Sequence, residues 1–165
     1  MQKERTLVLV KPDGVRRSLV GEIISRFENV GLKILGMKMF WADKDFAQRH
    51  YTDDISKRHG ERVRNNLVQY ITEGPVVAFV LEGVDAVKVV RKIAGSTYGG
   101  EAISGTIRGD YSHTSKDYAN FHELKVKNLV HSSGSLEEAK FEIPLWFDEK
   151  ELHEYKTIHD MIEEI

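Results

Sequence analysis

Residues 6–15 read TLVLVKPDGV, an apolar run that stops at a lysine and is followed by Pro-Asp-Gly. The run carries no charge from Thr6 to Val10 and does not alternate, a pattern typical of a strand buried on both faces. Pro-Asp-Gly predicts a turn directly after that strand. The sequence therefore predicts an interior strand at Thr6–Val10 with a lysine at its carboxyl end.

Apolar periodicity divides the rest of the chain into helices and strands. Ile23, Ile24 and Phe27 have the spacing of a helix with one buried face, and Gly31 ends that helix. The predicted strands are Thr6–Val10, Leu32–Phe40, Val76–Leu81 and Leu129–Ser132, and the predicted helices are Gly21–Asn29, Asp43–Tyr51, Arg62–Thr72, Val84–Ala94 and Leu136–Phe147. This order predicts an α/β (α+β) fold, a ferredoxin-like split βαβ sandwich with a four-stranded antiparallel sheet and surrounding helices.

Residues 95–127 show no clear period and are rich in Gly, Ser, Thr and Tyr. Segments of this length without secondary structure are usually functional or disordered in compact domains. The sequence shows no internal repeat and no sign of a second domain. We therefore expect a single domain over residues 1–165.

Composition excludes several classes of protein. A net charge of −2 gives no overall electrostatic case for binding nucleic acid or an anionic membrane. The absence of cysteine excludes disulfides and thiolate metal sites. The longest apolar run, Val76–Leu81, is too short to span a bilayer, and residues 1–5 lack the core of a signal peptide. We expect a soluble cytoplasmic protein in which any anion site is a local cluster of basic side chains.

Residues 128–135 read NLVHSSGS, where a short apolar strand ends on His131 and small residues follow. Ser135 and Glu138 have the spacing of a capping box, so a helix starts directly after this corner. A histidine held there can present one ring nitrogen to a ligand, while the other needs an orienting partner such as Glu138 or Glu142. Because the chain has seven histidines and most histidines are structural or exposed, this pattern alone leaves both interpretations open.

No glycine-rich phosphate loop occurs in the sequence, because none of the 13 glycines falls in a GxxxxGK[ST] or GxGxxG pattern. Phosphate would have to be held by side chains instead. Arginine offers a planar fork that matches phosphate oxygens, and lysine acts as a point charge. The candidates are Lys11, Arg91, Thr97 and Arg108, each of which, taken alone, is more typical of a solvated surface residue.

Three segments together resemble one family, the nucleoside diphosphate kinases: TLVLVKPDGV at 6–15, GTIRGD at 105–110 and NLVHSSGS at 128–135. The resemblance covers nearly the whole chain, over residues 4–155. It implies that the γ-phosphate of a nucleoside triphosphate moves to a histidine and then to a different nucleoside diphosphate. That histidine would be His131, and its second ring nitrogen would meet Glu142, with Ser133 as a further hydrogen-bonding neighbour. Glu138 is then assigned to the capping box.

The resemblance also implies how the nucleotide is bound. Lys11 and Asn128 would contact the sugar hydroxyls, and Val63 or Arg64 would stand near the base. The phosphates would be clamped by Arg91, Thr97 and Arg108, with Tyr51 near them. Mg²⁺ would bridge the phosphates of ATP and other nucleoside tri- and diphosphates without a protein metal cage. A homo-oligomer is expected, a hexamer in preference to a tetramer, and neither a membrane nor a specific nucleic acid is an expected partner.

Several positions depart from the family pattern. Gly134 replaces the usual aspartate, Tyr98-Gly99 replaces Asn-Pro, and Val63 offers less stacking area than the usual phenylalanine. An inserted segment around 111–126 is expected to form a longer hairpin or a subunit contact in preference to a lid. The tail at 156–165 has helical spacing and is expected to pack on a neighbouring subunit or on the domain itself. His50, His59, His153 and His159 are interpreted as structural or surface residues, and Trp41 and Trp146 as core or interface anchors.

Three functional hypotheses from different classes follow. The first is an active nucleoside diphosphate kinase with broad base tolerance, since its recognition would depend on sugar and phosphates. The second is a catalytically weak, nucleotide-binding relative that acts as a scaffold or regulator. The third, a ferredoxin-like RNA-binding module, lacks the aromatic strand motif and basic face that such modules use.

Overall fold

The computed structural model describes residues 3–162 and contains one four-stranded antiparallel sheet. The strands are β1 (Glu4–Val10), β2 (Lys33–Phe40), β3 (Val76–Gly83) and β4 (Val130–Ser132), in the order β2-β3-β1-β4. All three pairings are antiparallel. The predicted fold class and the four predicted strands are confirmed.

Helices cover both faces of the sheet. They are α1 (Pro12–Arg16), α2 (Val20–Glu28), α3 (Lys44–His50), α4 (Asp53–His59), α5 (Glu61–Ile71), α6 (Ala86–Ala94), α7 (Ile107–Tyr111), α8 (Lys116–Phe121), α9 (Leu136–Trp146) and α10 (Ile158–Ile162), with single 3₁₀ turns at Gly99–Glu101 and Glu149–Glu151. The five predicted helices are all present, with ends that differ by no more than a few residues. No helix within residues 3–162 is both long and apolar enough to cross a bilayer.

β1 separates two apolar cores. Val8 and Val10 face a core built with α2 and α6, and Leu7 and Leu9 face a second core that contains Trp146 of α9. These four strand residues are fully buried, as the absence of alternation in the sequence predicted. The central position of β1 therefore fixes the place where Lys11 leaves the sheet.

Two local predictions were wrong, and α4 was missed. Pro-Asp-Gly is not a turn but the first turn of α1, where proline is tolerated because its missing N–H needs no partner. α4 was not predicted, because it buries none of its residues and so carries no apolar stripe. The inserted segment is not a hairpin: α8 lies within it, capped by Ser115, whose hydroxyl accepts a hydrogen bond from the Tyr118 backbone N–H at 3.2 Å. Of the predicted tail, residues 163–165 lie outside the described part of the chain.

Candidate active site

A cavity of about 890 Å³ opens where β1 ends beside the start of β4. Helices α3, α4, α5, α6 and α9 each contribute to its wall. The predicted site residues on this wall are Lys11, Tyr51, Val63, Arg91, Thr97, Arg108, Asn128, His131 and Glu142. Ser133 lies behind the wall, hydrogen-bonded to Glu142. Residues from positions 11 to 142 of the sequence thus meet around one volume.

His131 is held through one ring nitrogen. Its Nε2 lies 2.8 Å from Oε1 of Glu142, and the Ser133 hydroxyl donates to the other carboxylate oxygen at 2.6 Å. Burial alone would raise the pKa of Glu142, but the charge of His131 and the hydrogen bonds from His131 and Ser133 outweigh it and lower that pKa. An ionised Glu142 accepts from both neighbours, so the Nε2 of His131 carries a proton. In the neutral ring the lone pair is therefore on Nδ1.

His50 is a site residue that the sequence analysis missed. Its ring centroid lies 4.6 Å from that of His131, with the two rings nearly perpendicular, and its side chain lies on the cavity wall. Nδ1 of His50 accepts a hydrogen bond from Nε1–H of Trp146 at 3.2 Å. Burial and the charge of His131 lower the pKa of His50 to about 3, so it is neutral at physiological pH. The sequence offered one indication of this role, since His50 directly precedes Tyr51, a predicted site residue, at the end of a predicted helix.

The side chains of Lys11 and Asn128 are hydrogen-bonded to each other. Nζ of Lys11 donates to Oδ1 of Asn128 at 2.6 Å, and Nδ2 of Asn128 donates to the Thr97 carbonyl at 3.0 Å. Burial, reinforced by the charge of Arg108, lowers the pKa of Lys11 to about 7. This pair therefore joins the end of β1 to the loop that carries Thr97.

Arg108 is fixed by the backbone around it. Its guanidinium donates to the carbonyls of Gly95 at 2.7 Å, Asn128 at 3.1 Å and Val130 at 2.7 Å. Burial and the neighbouring charge of Arg91 lower its pKa to about 10, so it is still cationic at neutral pH. A guanidinium has five N–H donors, so two can still reach a ligand from this fixed orientation.

Three departures from the family pattern have a structural account. Val63 lines the cavity, whereas Arg64 turns away and donates to the Tyr51 carbonyl at 2.6 Å, so Val63 is the residue available to cover a base. Gly99 lies against Ser112, where an added Cβ would come within 2.3 Å of the Ser112 carbonyl oxygen. Gly134 donates its backbone N–H to the Glu138 carboxylate at 2.8 Å. The capping-box prediction is therefore half wrong, because that carboxylate bonds residue 134 and not the Ser135 backbone.

The arrangement suits phosphoryl chemistry. The guanidinium groups of Arg91 and Arg108 and the amine of Lys11 line the same cavity as a histidine whose second nitrogen is held by a carboxylate. Fixed cations neutralise phosphate charge, and a neutral imidazole is a nucleophile near pH 7. Fold and site together define the class as an α/β phosphotransferase without a glycine-rich phosphate loop.

Comparisons with known proteins give the family. The nucleoside diphosphate kinase family model matches residues 4–152. Nucleoside diphosphate kinase of Borreliella burgdorferi is 47% identical over 157 residues, covering 94% of each chain, and that of Pyrococcus furiosus is 49% identical over 92% of this chain and 88% of its own. A solved transition-state mimic of the nucleoside-diphosphate kinase from Borrelia burgdorferi, with bound vanadate and ADP, superposes with a TM-score of 0.94 at 45% identity, covering 98% of this chain and 97% of that one.

The chain belongs to the nucleoside diphosphate kinase family. It is a phosphotransferase that moves the γ-phosphate of a nucleoside triphosphate to a nucleoside diphosphate in a ping-pong reaction. The transfer uses a divalent metal. The predicted family and activity are confirmed.

Proposed function

We propose that Nδ1 of His131 carries the phosphoryl group between the two nucleotides. In the first half-reaction the Nδ1 lone pair forms a bond to the γ-phosphorus. The bond from that phosphorus to the bridging oxygen breaks, and the nucleoside diphosphate leaves with the electron pair. In the second half-reaction a terminal oxygen of another diphosphate attacks the phosphorus, and the P–N bond breaks. The observation that supports this is the 2.8 Å contact of Nε2 with Glu142, which leaves Nδ1 as the nucleophilic nitrogen.

Glu142 and Ser133 orient the nucleophile in this proposal. When Nδ1 becomes bonded to phosphorus the ring gains positive charge, and the carboxylate on the opposite nitrogen stabilises it. The Ser133 hydroxyl holds the second oxygen of that carboxylate, so the carboxylate has one orientation. Ser133 itself is fully buried. The positive charge that develops on the ring is thus stabilised by a carboxylate that is already in position.

The rest of the cavity would bind the nucleotide. Lys11 and Asn128, already bonded to each other, would contact the sugar hydroxyls. Arg91, Thr97 and Arg108 would clamp the phosphates, with Tyr51 near them. Val63 would cover the base by apolar contact alone, so the proposal includes broad base tolerance.

We propose Mg²⁺ as the metal, bound through the nucleotide phosphates. Within residues 3–162, one three-residue cluster has metal-ligand spacing: His50, His131 and Glu142. Two imidazoles and a single carboxylate do not fit Mg²⁺, which takes oxygen ligands in octahedral geometry and keeps several waters. Glu142 is also already engaged by His131 and Ser133. The basic side chains that line the cavity suit a negatively charged nucleotide that brings its own metal ion.

The wider setting of the enzyme is proposed as well. A single domain forms a homo-oligomer in the cytoplasm, a hexamer in preference to a tetramer. Support comes from the edge strand β2, where Met37 and Met39 are more than half exposed, and from Trp41 just beyond it, which is 65% exposed. Tyr118 and Phe121 on α8 are exposed too, which fits the inserted segment as a subunit contact.

Incubation with ATP and Mg²⁺ in the absence of any acceptor tests the residue assignments. We expect acid-labile phosphate on His131, discharged when GDP is added, and none on His131→Ala, which should fold normally because this side chain is partly exposed. Glu142→Ala should slow labelling by roughly tenfold to a hundredfold, as loss of an orienting partner does. Labelling of His131→Ala at the wild-type level would contradict the mechanism. Nucleotide binding without any label in the wild type is the result that a scaffold would give.

A further inference from the structure

The corner between β4 and α9 contains a hydrogen bond between a backbone N–H and a side-chain carboxylate. Oε2 of Glu138 accepts from the backbone N–H of Gly134 at 2.8 Å. A Cβ atom built on Gly134 would lie 2.6 Å from that same oxygen, which is closer than any real contact. Gly134 does not adopt a positive φ, so its backbone would accept alanine without strain. The absence of a side chain at 134 is therefore tied to the carboxylate of residue 138.

Hydrogen bonds link this corner to His131, the proposed nucleophile. Ser133 donates its backbone N–H to the Leu7 carbonyl at 3.2 Å, and its hydroxyl bonds Glu142, the partner of His131. Gly134 is the next residue, and its N–H is the one that Glu138 holds. On the other side, the Ser135 hydroxyl accepts from the Glu138 backbone N–H at 3.1 Å. Glu138 thus ties both Gly134 and Ser135 to the first turn of α9.

Other roles for Glu138 have weaker support. Its second carboxylate oxygen lies 4.0 Å from the guanidinium of Arg58, which is bonded instead to Asp54 at 2.7 Å. An exposed contact at that distance contributes little. A carboxylate in the first turn of α9 also meets the positive end of the helix, but any acid in that turn does so, Glu137 included. Of these contacts, only the hydrogen bond to the Gly134 backbone is specific to Glu138.

We propose that Glu138 is a positioning residue for His131, and that Gly134 is its required partner. The inference depends on His131 being the phosphoryl carrier. With no side chain at 134, the Glu138 carboxylate can lie against the backbone and fix the corner. A Cβ at 134 would force the Glu138 carboxylate out of the position in which it makes this hydrogen bond. Restoring the aspartate of the family pattern at 134 should therefore slow this enzyme, because Glu138 occupies the space.

A double-mutant cycle tests the pair, using Gly134→Ala, Glu138→Ser and both together. The readout is the rate of His131 labelling by ATP and Mg²⁺ in a single turnover, with ADP affinity measured separately. Each single variant should label about threefold to tenfold more slowly, the effect of one lost hydrogen bond, with ADP affinity unchanged. The double variant should be no slower than either single one, since both changes remove the same bond. Glu138→Gln, whose amide oxygen can still accept from Gly134, should keep the wild-type rate.

Asp45→Ser is the matched control, because Asp45 is an exposed acid in the first turn of α3 and does not line the cavity. It should label at the wild-type rate. Effects of the two single variants that multiply in the double variant would overturn the proposal, as would a wild-type rate for Glu138→Ser or Gly134→Ala. A loss of ADP affinity in parallel with the rate would also overturn it, since that is the result of a general structural defect. If the wild type itself fails to label His131, the assignment of His131 fails and not the pairing.

Discussion

Behind His131 lie two buried rings, those of His50 and Trp146. Nδ1 of His50 accepts from Trp146, so the proton of the neutral ring is on Nε2, which is buried and has no partner within the described residues. The His50 ring meets His131 edge to face. A protonated His50 would place a positive charge beside a ring that itself becomes positive when Nδ1 bonds phosphorus in the proposed mechanism. Its environment keeps His50 uncharged, so His50 does not oppose the positive charge that the His131 ring gains in the proposed transfer.

Replacing His50 by phenylalanine should show this in the pH dependence of stability. The folded-state pKa of His50, about 3, is below its ordinary value of 6.5, so its contribution to stability is full above pH 6.5 and is lost as the pH falls towards 3. His50→Phe lacks this loss, but leaves the Trp146 N–H unpaired at a cost of about 1–3 kcal/mol at neutral pH. The wild-type advantage should therefore shrink on acidification, by at most about 1.4 kcal/mol per pH unit.

Urea unfolding from pH 7.5 to pH 4.5 measures the effect. The exposed His113 lies outside the cavity, and His113→Phe is the control that should follow the wild type. A constant difference between wild type and His50→Phe across this range would show that His50 is not held neutral by burial.

The loop between α6 and α7 is an element whose path depends on one glycine. Gly99 begins a 3₁₀ turn and lies against the Ser112 backbone, and Gly100 donates to the Thr114 carbonyl at 3.1 Å. These contacts tie the loop that carries Thr97 to the inserted segment. The loop that has Tyr98-Gly99 in place of Asn-Pro is therefore held by contacts with the inserted segment.

Gly99→Ala should weaken this element. The added Cβ would lie 2.3 Å from a backbone oxygen, which cannot move aside as a flexible side chain can. We expect a loss of about 1–3 kcal/mol in the free energy of unfolding and weaker ADP binding, because Thr97 is displaced with the loop. Gly21→Ala in α2 is the matched change, since its Cβ would meet nothing within 4 Å. It should stabilise the protein by about 0.5–1 kcal/mol. Equal stabilities for the two variants would contradict this account.

At the scale of the whole molecule, one sheet divides two cores and leaves β2 at an edge. Met37 and Met39 alternate with Lys38, so both methionines are on the same side of the strand and exposed. An exposed apolar edge strand is a site of association, which natural proteins cover or charge. This surface fits the proposed homo-oligomer.

Charging this edge should reduce assembly. We expect Met37→Lys with Met39→Lys to give a smaller species in analytical ultracentrifugation, because two charges would have to be buried between subunits. Val84→Lys, at an exposed position in the turn before α6, should sediment like the wild type. Unchanged assembly of the double variant would remove β2 as an interface.

Local pattern alone determined the strands, the main helices and the beginning of α9. The absence of alternation marked β1, and spacing of 3.6 residues marked α2 and α6, because each of these elements buries a face that its own sequence reveals. α4 and α8 escaped prediction, since α4 buries no residue and α8 only Ala119. Where no apolar stripe exists, packing and capping decide whether a helix forms, and both involve residues elsewhere in the chain.

For the site, too, some features were determined by the sequence and others only by the tertiary structure. The sequence by itself supplied the residue types, and the resemblance to a family supplied their proposed roles. Only the tertiary structure brought Lys11 to Asn128, turned Arg64 away from the cavity, placed His50 against His131 and joined Glu138 to Gly134. These contacts depend on the distances between side chains after the sheet and helices have packed. Periodicity along a chain reports which face is buried, but not which polar atom meets which across it.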